Sequence, residues 1–101
     1  MSRKIKIGLV GLGHLGKIHL KLIRQIDYFE LSGIYDIDIK RTKSFAKKFN
    51  IKNYENVEKL ILESDAIDIV TPTDTHFNIA SKCLKLMVLN FNLISIILMK
   101  N

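Results

Sequence analysis

Three glycines follow directly on a short apolar run, and this feature constrains the fold more than any other. Ile5–Val10 is rich in β-branched residues and reads as a buried strand. Gly11-Leu12-Gly13-His14-Leu15-Gly16 comes next. Beyond it, Leu15, Ile18, Leu22, Ile23 and Ile26 recur at helical spacing, with Lys17, Lys21 and Arg24 on the other face. A strand that enters a helix through such a turn leaves room for little but a βα unit of a parallel sheet. The first glycine allows the tight turn, the second lets a pyrophosphate approach the backbone, and the third lets helix pack on strand. Free N–H groups at the helix N-terminus then face an anion.

The remainder of the chain repeats the alternation. Glu30–Tyr35 reads as a second strand ending at Asp36, and Asp38–Phe49 as an amphipathic helix with Phe45, Ala46 and Phe49 inward. Asn50–Tyr54 reads as a connector holding a minimal third strand. Asn56 caps a short helix over Val57–Glu63. Ala66–Val70 reads as a fourth strand, closed by Thr71-Pro72-Thr73 because proline cannot donate to a ladder. Asp74 or Thr75 then caps a helix from His76 to about Lys85. The expected fold is α/β: a Rossmann-like parallel sheet with flanking helices, incomplete, of about four to five strands, with the first and fourth central. Ligands bind such sheets beyond the carboxyl ends of the strands. Those ends carry Gly11, Asp36 and Thr71.

Asp36 lies twenty residues past Gly16. A carboxylate there accepts hydrogen bonds from ribose hydroxyls and repels a 2′-phosphate, which favours NAD over NADP. The competing reading is a turn acid. Lys40 and Arg41 read first as a solvated helix face. As phosphate partners they would soften the preference and leave NADP open, so Arg41 stays among the candidates. His14 sits in the turn, within reach of a pyrophosphate. His19 lies off the main apolar stripe, and neither histidine has a partner acid at catalytic or metal spacing. Cys83 falls in an apolar helical stripe and reads as a packed small hydrophobe.

Composition excludes several classes. The chain has 101 residues and a net charge of +6, but its Lys and Arg are spread along it and do not alternate with aromatics, so no nucleic-acid platform is expected. One cysteine rules out an internal disulfide, no Cys/His spacing suggests a metal, and a reducing, cytoplasmic setting fits. The apolar stretch 84–99 is broken by Lys85, Asn90, Asn92 and Ser95, short of the roughly 20 residues a membrane helix needs, so no membrane partner is expected.

Lys4–Val10 with the glycine turn, Tyr35-Asp36-Ile37-Asp38, and Asp65–Val70 followed by Thr71-Pro72-Thr73-Asp74-Thr75-His76 resemble the N-terminal NAD(P)-binding domain of the Gfo/Idh/MocA oxidoreductases. The resemblance covers about residues 3–85. It implies that Thr71, Pro72 and Thr73 line the cofactor cleft and that His76 lies near the cofactor. It also implies hydride transfer between NAD(P) and a hydroxyl or carbonyl carbon of a sugar or polyol.

The chain departs from that pattern after Lys85. Residues 1–85 read as the dinucleotide-binding domain and 86–101 as an apolar tail. The family's Glu-Lys-Pro segment and C-terminal substrate domain are absent from the sequence, and no catalytic residue is assigned. Read one base earlier, Met87–Val88 gives Asn-Gly if the Leu86 codon ends in A, which makes a truncated or frameshifted product an expectation that the DNA would test. Two alternatives to an enzyme's cofactor domain remain, a nucleotide-sensing module and a nonfunctional remnant. The tail either extends the last helix or supplies a strand from Val88–Phe91 or Leu93–Leu98. Left exposed with the sheet edge, it invites self-association.

Overall fold

A computed structural model of the chain describes residues 4–71, 73–90 and 95–98. In chain order the elements are β1 (Ile5–Val10), α1 (His14–Gln25), β2 (Phe29–Tyr35), α2 (Ile39–Phe49), α3 (Val57–Leu62), β3 (Ala66–Ile69), α4 (Thr73–Asn90) and β4 (Ser95–Leu98). The strands form one parallel sheet in the order β2-β1-β3-β4. β1 and β3, the first and fourth strands expected from sequence, are the central pair.

Both faces of the sheet are covered, which explains the continuous apolar runs. Leu9 of β1 and Ala66 of β3 face α1 and α2, with Leu12, Leu20, Ile23 and Ile34. Val10 of β1 and Ile67 and Ile69 of β3 face α3 and α4, with Tyr54, Leu60 and Ile79. Cys83 is fully buried in this second layer, and burial pushes its thiol up to about 11.

Local signals set the boundaries. Asp38 caps α2 by accepting from the Arg41 N–H at 3.1 Å, and Asn56 caps α3 by accepting from the Lys59 N–H at 3.2 Å. Asn50 ends α2 in the left-handed region at φ 54°, where asparagine is among the tolerated residues.

Three expectations need correction. The minimal third strand within Asn50–Tyr54 is a single parallel bridge, Ile34 to Asn53. The chain leaves a left-handed Asn50 and touches the β2 edge only there, with Tyr54 N–H donating to Ile34 O at 2.9 Å. The stripe of α1 is rotated from the one expected. Gly16, Leu20 and Ile23 are buried, whereas Ile18 and Leu22 are 42% and 52% exposed. The last helix neither starts at His76 nor stops near Lys85. It begins at Thr73, so Asp74 and Thr75 lie inside its first turn, and no glycine or proline halts it before Asn90. Both uses foreseen for the tail occur: α4 takes residues to Asn90, and Ser95–Leu98 pairs with Ala66–Ile69 as a fourth strand.

Candidate functional site

The carboxyl ends of β1, β2 and β3 open into a cleft of about 410 Å³. Gly11 and Gly13 form one wall, Tyr35, Asp36, Ile37 and Arg41 a second, and Val70, Thr71, Asn78 and Lys82 a third. Sterics fix the glycine wall. Gly11 has φ 105°, and a Cβ there would lie 2.1 Å from the Val70 carbonyl oxygen. A Cβ on Gly16 would lie 2.0 Å from the carbonyl oxygen of Gly11. The turn therefore folds against β3 on one side and against its own helix on the other. Gly13 is the N-cap of α1, and no side chain among the described residues caps that end. Its first N–H groups are open to an anion.

Asp36 is 8% exposed. Its Oδ2 accepts from the Leu12 N–H at 2.7 Å, and its Oδ1 accepts from the Asp38 N–H at 2.8 Å. The carboxylate thus ties the glycine turn to the end of β2, so the turn-acid reading holds. Each carboxylate oxygen accepts one hydrogen bond among the described residues, which leaves it a second lone pair. The Arg41 guanidinium stands 3.8 Å from Asp36 Oδ2 and 3.9 Å from Asp38 Oδ2. Arg41 lines the cleft, whereas Lys40 is not among its lining residues. Thr71 is also 8% exposed, and its buried Oγ1 has no hydrogen-bond partner among the described residues. A buried hydroxyl without a partner is costly, and it belongs to a residue that lines the cleft.

Of the residues singled out from sequence, Gly11, Gly13, Asp36, Arg41 and Thr71 meet in this cleft. Leu12 contributes its N–H to Asp36 but sends its side chain into the core. Leu15 packs against that core, Gly16 supports the turn from behind, and His14 is exposed at the start of α1 outside the cleft lining. Thr73 and His76 fall in the first turn of α4. Their side chains lie outside the described residues, as does the whole of Pro72. Among the described residues no cluster suits a metal ion, and no helix is long and apolar enough to cross a membrane.

Two features escaped the sequence. Asn78 and Lys82, one turn apart on α4, reach the cleft; their spacing on one helix face was the available signal. His19 has an acid partner after all. Its Nδ1 lies 2.6 Å from Oδ2 of Asp68 on β3. Burial pushes the Asp68 carboxyl above its ordinary value, and the hydrogen bond and charge of His19 work against that rise. The two residues are 49 positions apart, beyond any local motif.

Comparison with known proteins agrees with this geometry. The model of the Gfo/Idh/MocA family, an oxidoreductase family with an NAD-binding Rossmann fold, matches residues 5–93. UDP-N-acetylglucosamine 3-dehydrogenase of Acidithiobacillus ferrooxidans is 36% identical over 76 residues, which is 75% of this chain and 24% of that protein. Glucose-6-phosphate 3-dehydrogenase of Bacillus subtilis is 37% identical over 71 residues, 70% of this chain and 20% of that protein. The chain thus spans between 20% and 24% of the length of these curated relatives. A solved structure of the Acidithiobacillus ferrooxidans enzyme superposes with a TM-score of 0.78 at 29% identity, covering 94% of this chain and 29% of that one. GenD2 from gentamicin A biosynthesis, solved in complex with NAD, superposes with a TM-score of 0.75 over 84% of this chain and 25% of that one. At 20% identity it speaks to the fold alone.

Proposed function

Because the chain belongs to the Gfo/Idh/MocA oxidoreductase family, whose matched domain is an NAD-binding Rossmann fold, we propose that the cleft at the strand ends holds a nicotinamide dinucleotide for hydride transfer to or from a sugar- or polyol-like carbon. The observation that carries this reading is the convergence on one cleft of the α1 N-terminus, the Asp36 carboxylate and Thr71, whose hydroxyl has no partner among the described residues.

Each residue has a role in this reading. The N–H groups at the start of α1, just past Gly13, meet the pyrophosphate, and the absence of side chains at Gly11 and Gly13 lets it approach. Asp36 accepts from the ribose hydroxyls with its free lone pairs. Thr71 and the start of α4, with His76, stand on the nicotinamide side. The bound cofactor supplies the hydride acceptor or donor; the chain binds and orients it. No residue of this chain is assigned to substrate recognition or proton transfer. The substrate class rests on the two curated relatives, which are by name dehydrogenases of a nucleotide sugar and of a sugar phosphate.

Asp36 repels a 2′-phosphate, so NAD is the expected cofactor. Arg41, 3.8 Å from that carboxylate, partly offsets the repulsion and keeps NADP as a weaker ligand. Calorimetric titration with NAD, NADH, NADP and NADPH tests this, with the non-phosphorylated pair expected to bind more tightly. Absence of binding by all four at about 1 mM would overturn the cofactor reading.

A further inference from the structure

The His19–Asp68 pair lies outside the cleft lining, yet it joins the two elements whose ends build the cleft. Asp68 is 3% exposed in the middle of β3, on the sheet face it shares with Ala66 and Val70. One carboxylate oxygen meets His19 at 2.6 Å, and the other is buried with no hydrogen-bond partner among the described residues. A carboxylate in such a place adds nothing to apolar packing and carries a desolvation cost, so its contribution is the direction of the contact it makes.

The other directional contacts of α1 among the described residues run to α2, from Arg24 Nη1 to Phe49 O at 3.3 Å and from Lys17 to the Phe45 ring, and not to the sheet. Leu20 and Ile23 bury α1 against the sheet, but apolar contacts are non-directional and permit small slides and rotations. A short polar contact fixes both. His19 lies five residues beyond His14 in α1, about 7.5 Å along the axis from the helix start. On the other side, β3 runs on into Val70 and Thr71 on the cleft wall.

We propose that His19 and Asp68 are positioning residues, a bolt that locks α1 to β3 and so holds the N-terminal turn of α1 in the orientation in which it meets the dinucleotide phosphates. The functional part rests on the cofactor reading above; the structural part stands without it.

The test compares wild type, His19→Leu and the apolar pair His19→Leu/Asp68→Val in the full chain. Three readouts are used: thermal melting, NAD titration, and amide exchange at Leu12–Lys17. His19→Leu leaves a buried carboxylate without its partner and should melt lowest. The double variant removes that charge and should recover most of the melting temperature. It should still bind NAD about tenfold more weakly and exchange the α1 N-terminal amides faster than wild type. A merely structural pair would restore affinity together with stability. Wild-type affinity and wild-type exchange in the double variant would overturn the proposal. If wild type binds no NAD, the cofactor reading falls, and the exchange measurement still decides whether the pair orients α1.

Discussion

Replacing Gly11 with alanine tests whether the turn is required by the fold or only by a ligand. The added Cβ would lie 2.1 Å from the Val70 carbonyl oxygen and 3.0 Å from Thr71 Cγ2. The first contact is with backbone, and real Cβ atoms essentially never approach below 3.0 Å. Gly11 cannot retreat easily, because its own carbonyl is lodged where a Gly16 Cβ would be, and its N–H is held by Tyr35 O at 2.8 Å. Holding alanine at φ 105° costs about 1–3 kcal/mol, and overpacking a tight site adds about 1–3 kcal/mol. The reduced freedom of the unfolded chain returns about 0.4–1 kcal/mol. The net loss is about 1–6 kcal/mol, against a total stability of about 5–15 kcal/mol for a domain of this size. At about 4–8 °C per kcal/mol, even the lower figure moves the melting midpoint by at least about 4 °C. The assay is urea and thermal unfolding of Gly11→Ala beside Gly13→Ala. Gly13 has φ −71°, so alanine there strains no backbone and should leave stability nearly unchanged, while weakening dinucleotide binding. A Gly11→Ala variant within about 0.5 kcal/mol of wild type would refute the steric argument.

Thr71→Val is expected to keep or raise stability by up to about 1 kcal/mol, since it deletes a buried hydroxyl that has no described partner. The same change should weaken NAD binding, and calorimetry together with melting separates the two effects. Cys83 should resist thiol labelling at pH 8 in the folded chain and react once unfolded, because it is fully buried and its thiol is pushed up to about 11. The sign follows from the neutral form being favoured in the fold. Its contribution to stability is complete below the ordinary thiol value of 9.0 and is lost as pH rises towards 11. Unfolding midpoints of wild type and Cys83→Ala measured from pH 8 to 11 should therefore converge with rising pH.

The central strands were legible because they are buried on both faces, and continuous apolar runs report that directly. The cap at Asn56 was legible because capping is local, a side chain answering a backbone group three residues on; Asp38, read as the first residue of its helix, caps it in the same way. The inward face of α1 was not. Counting apolar residues selects Ile18 and Leu22 along with Ile23, but close approach of the helix to the turn at Gly16 leaves Ile23 buried and turns Leu20 inward in place of Ile18 and Leu22. Hydrophobicity alone cannot report that rotation, which is set by the one position without a side chain. The third strand failed for a related reason. Its apolar residues Ile51 and Tyr54 pack inward from an irregular segment, with one bridge in place of a ladder.

The cleft joins what the sequence keeps apart. Asp36 had two competing readings, ribose acceptor or turn acid; its hydrogen bonds show the second, and the first is the role proposed for it. By accepting from Leu12 N–H and Asp38 N–H, the carboxylate holds the glycine turn against the end of β2. Under the proposed cofactor reading, this holds the carboxylate ready for the ribose of a dinucleotide on that turn. A rigid acceptor loses less entropy on binding than a free one, so structural restraint of Asp36 adds to its fitness as a ligand group. The same logic applies across the turn. Val70 packs its carbonyl against Gly11 and is followed at once by the Thr71 hydroxyl, so the contact that forces glycine at position 11 also sets the height of Thr71. Asp36 and Thr71 lie 35 residues apart, and each is positioned by the same six-residue turn. A change at Gly11 should therefore disturb both walls of the cleft together, whereas a change at Asp36 or Thr71 should disturb one.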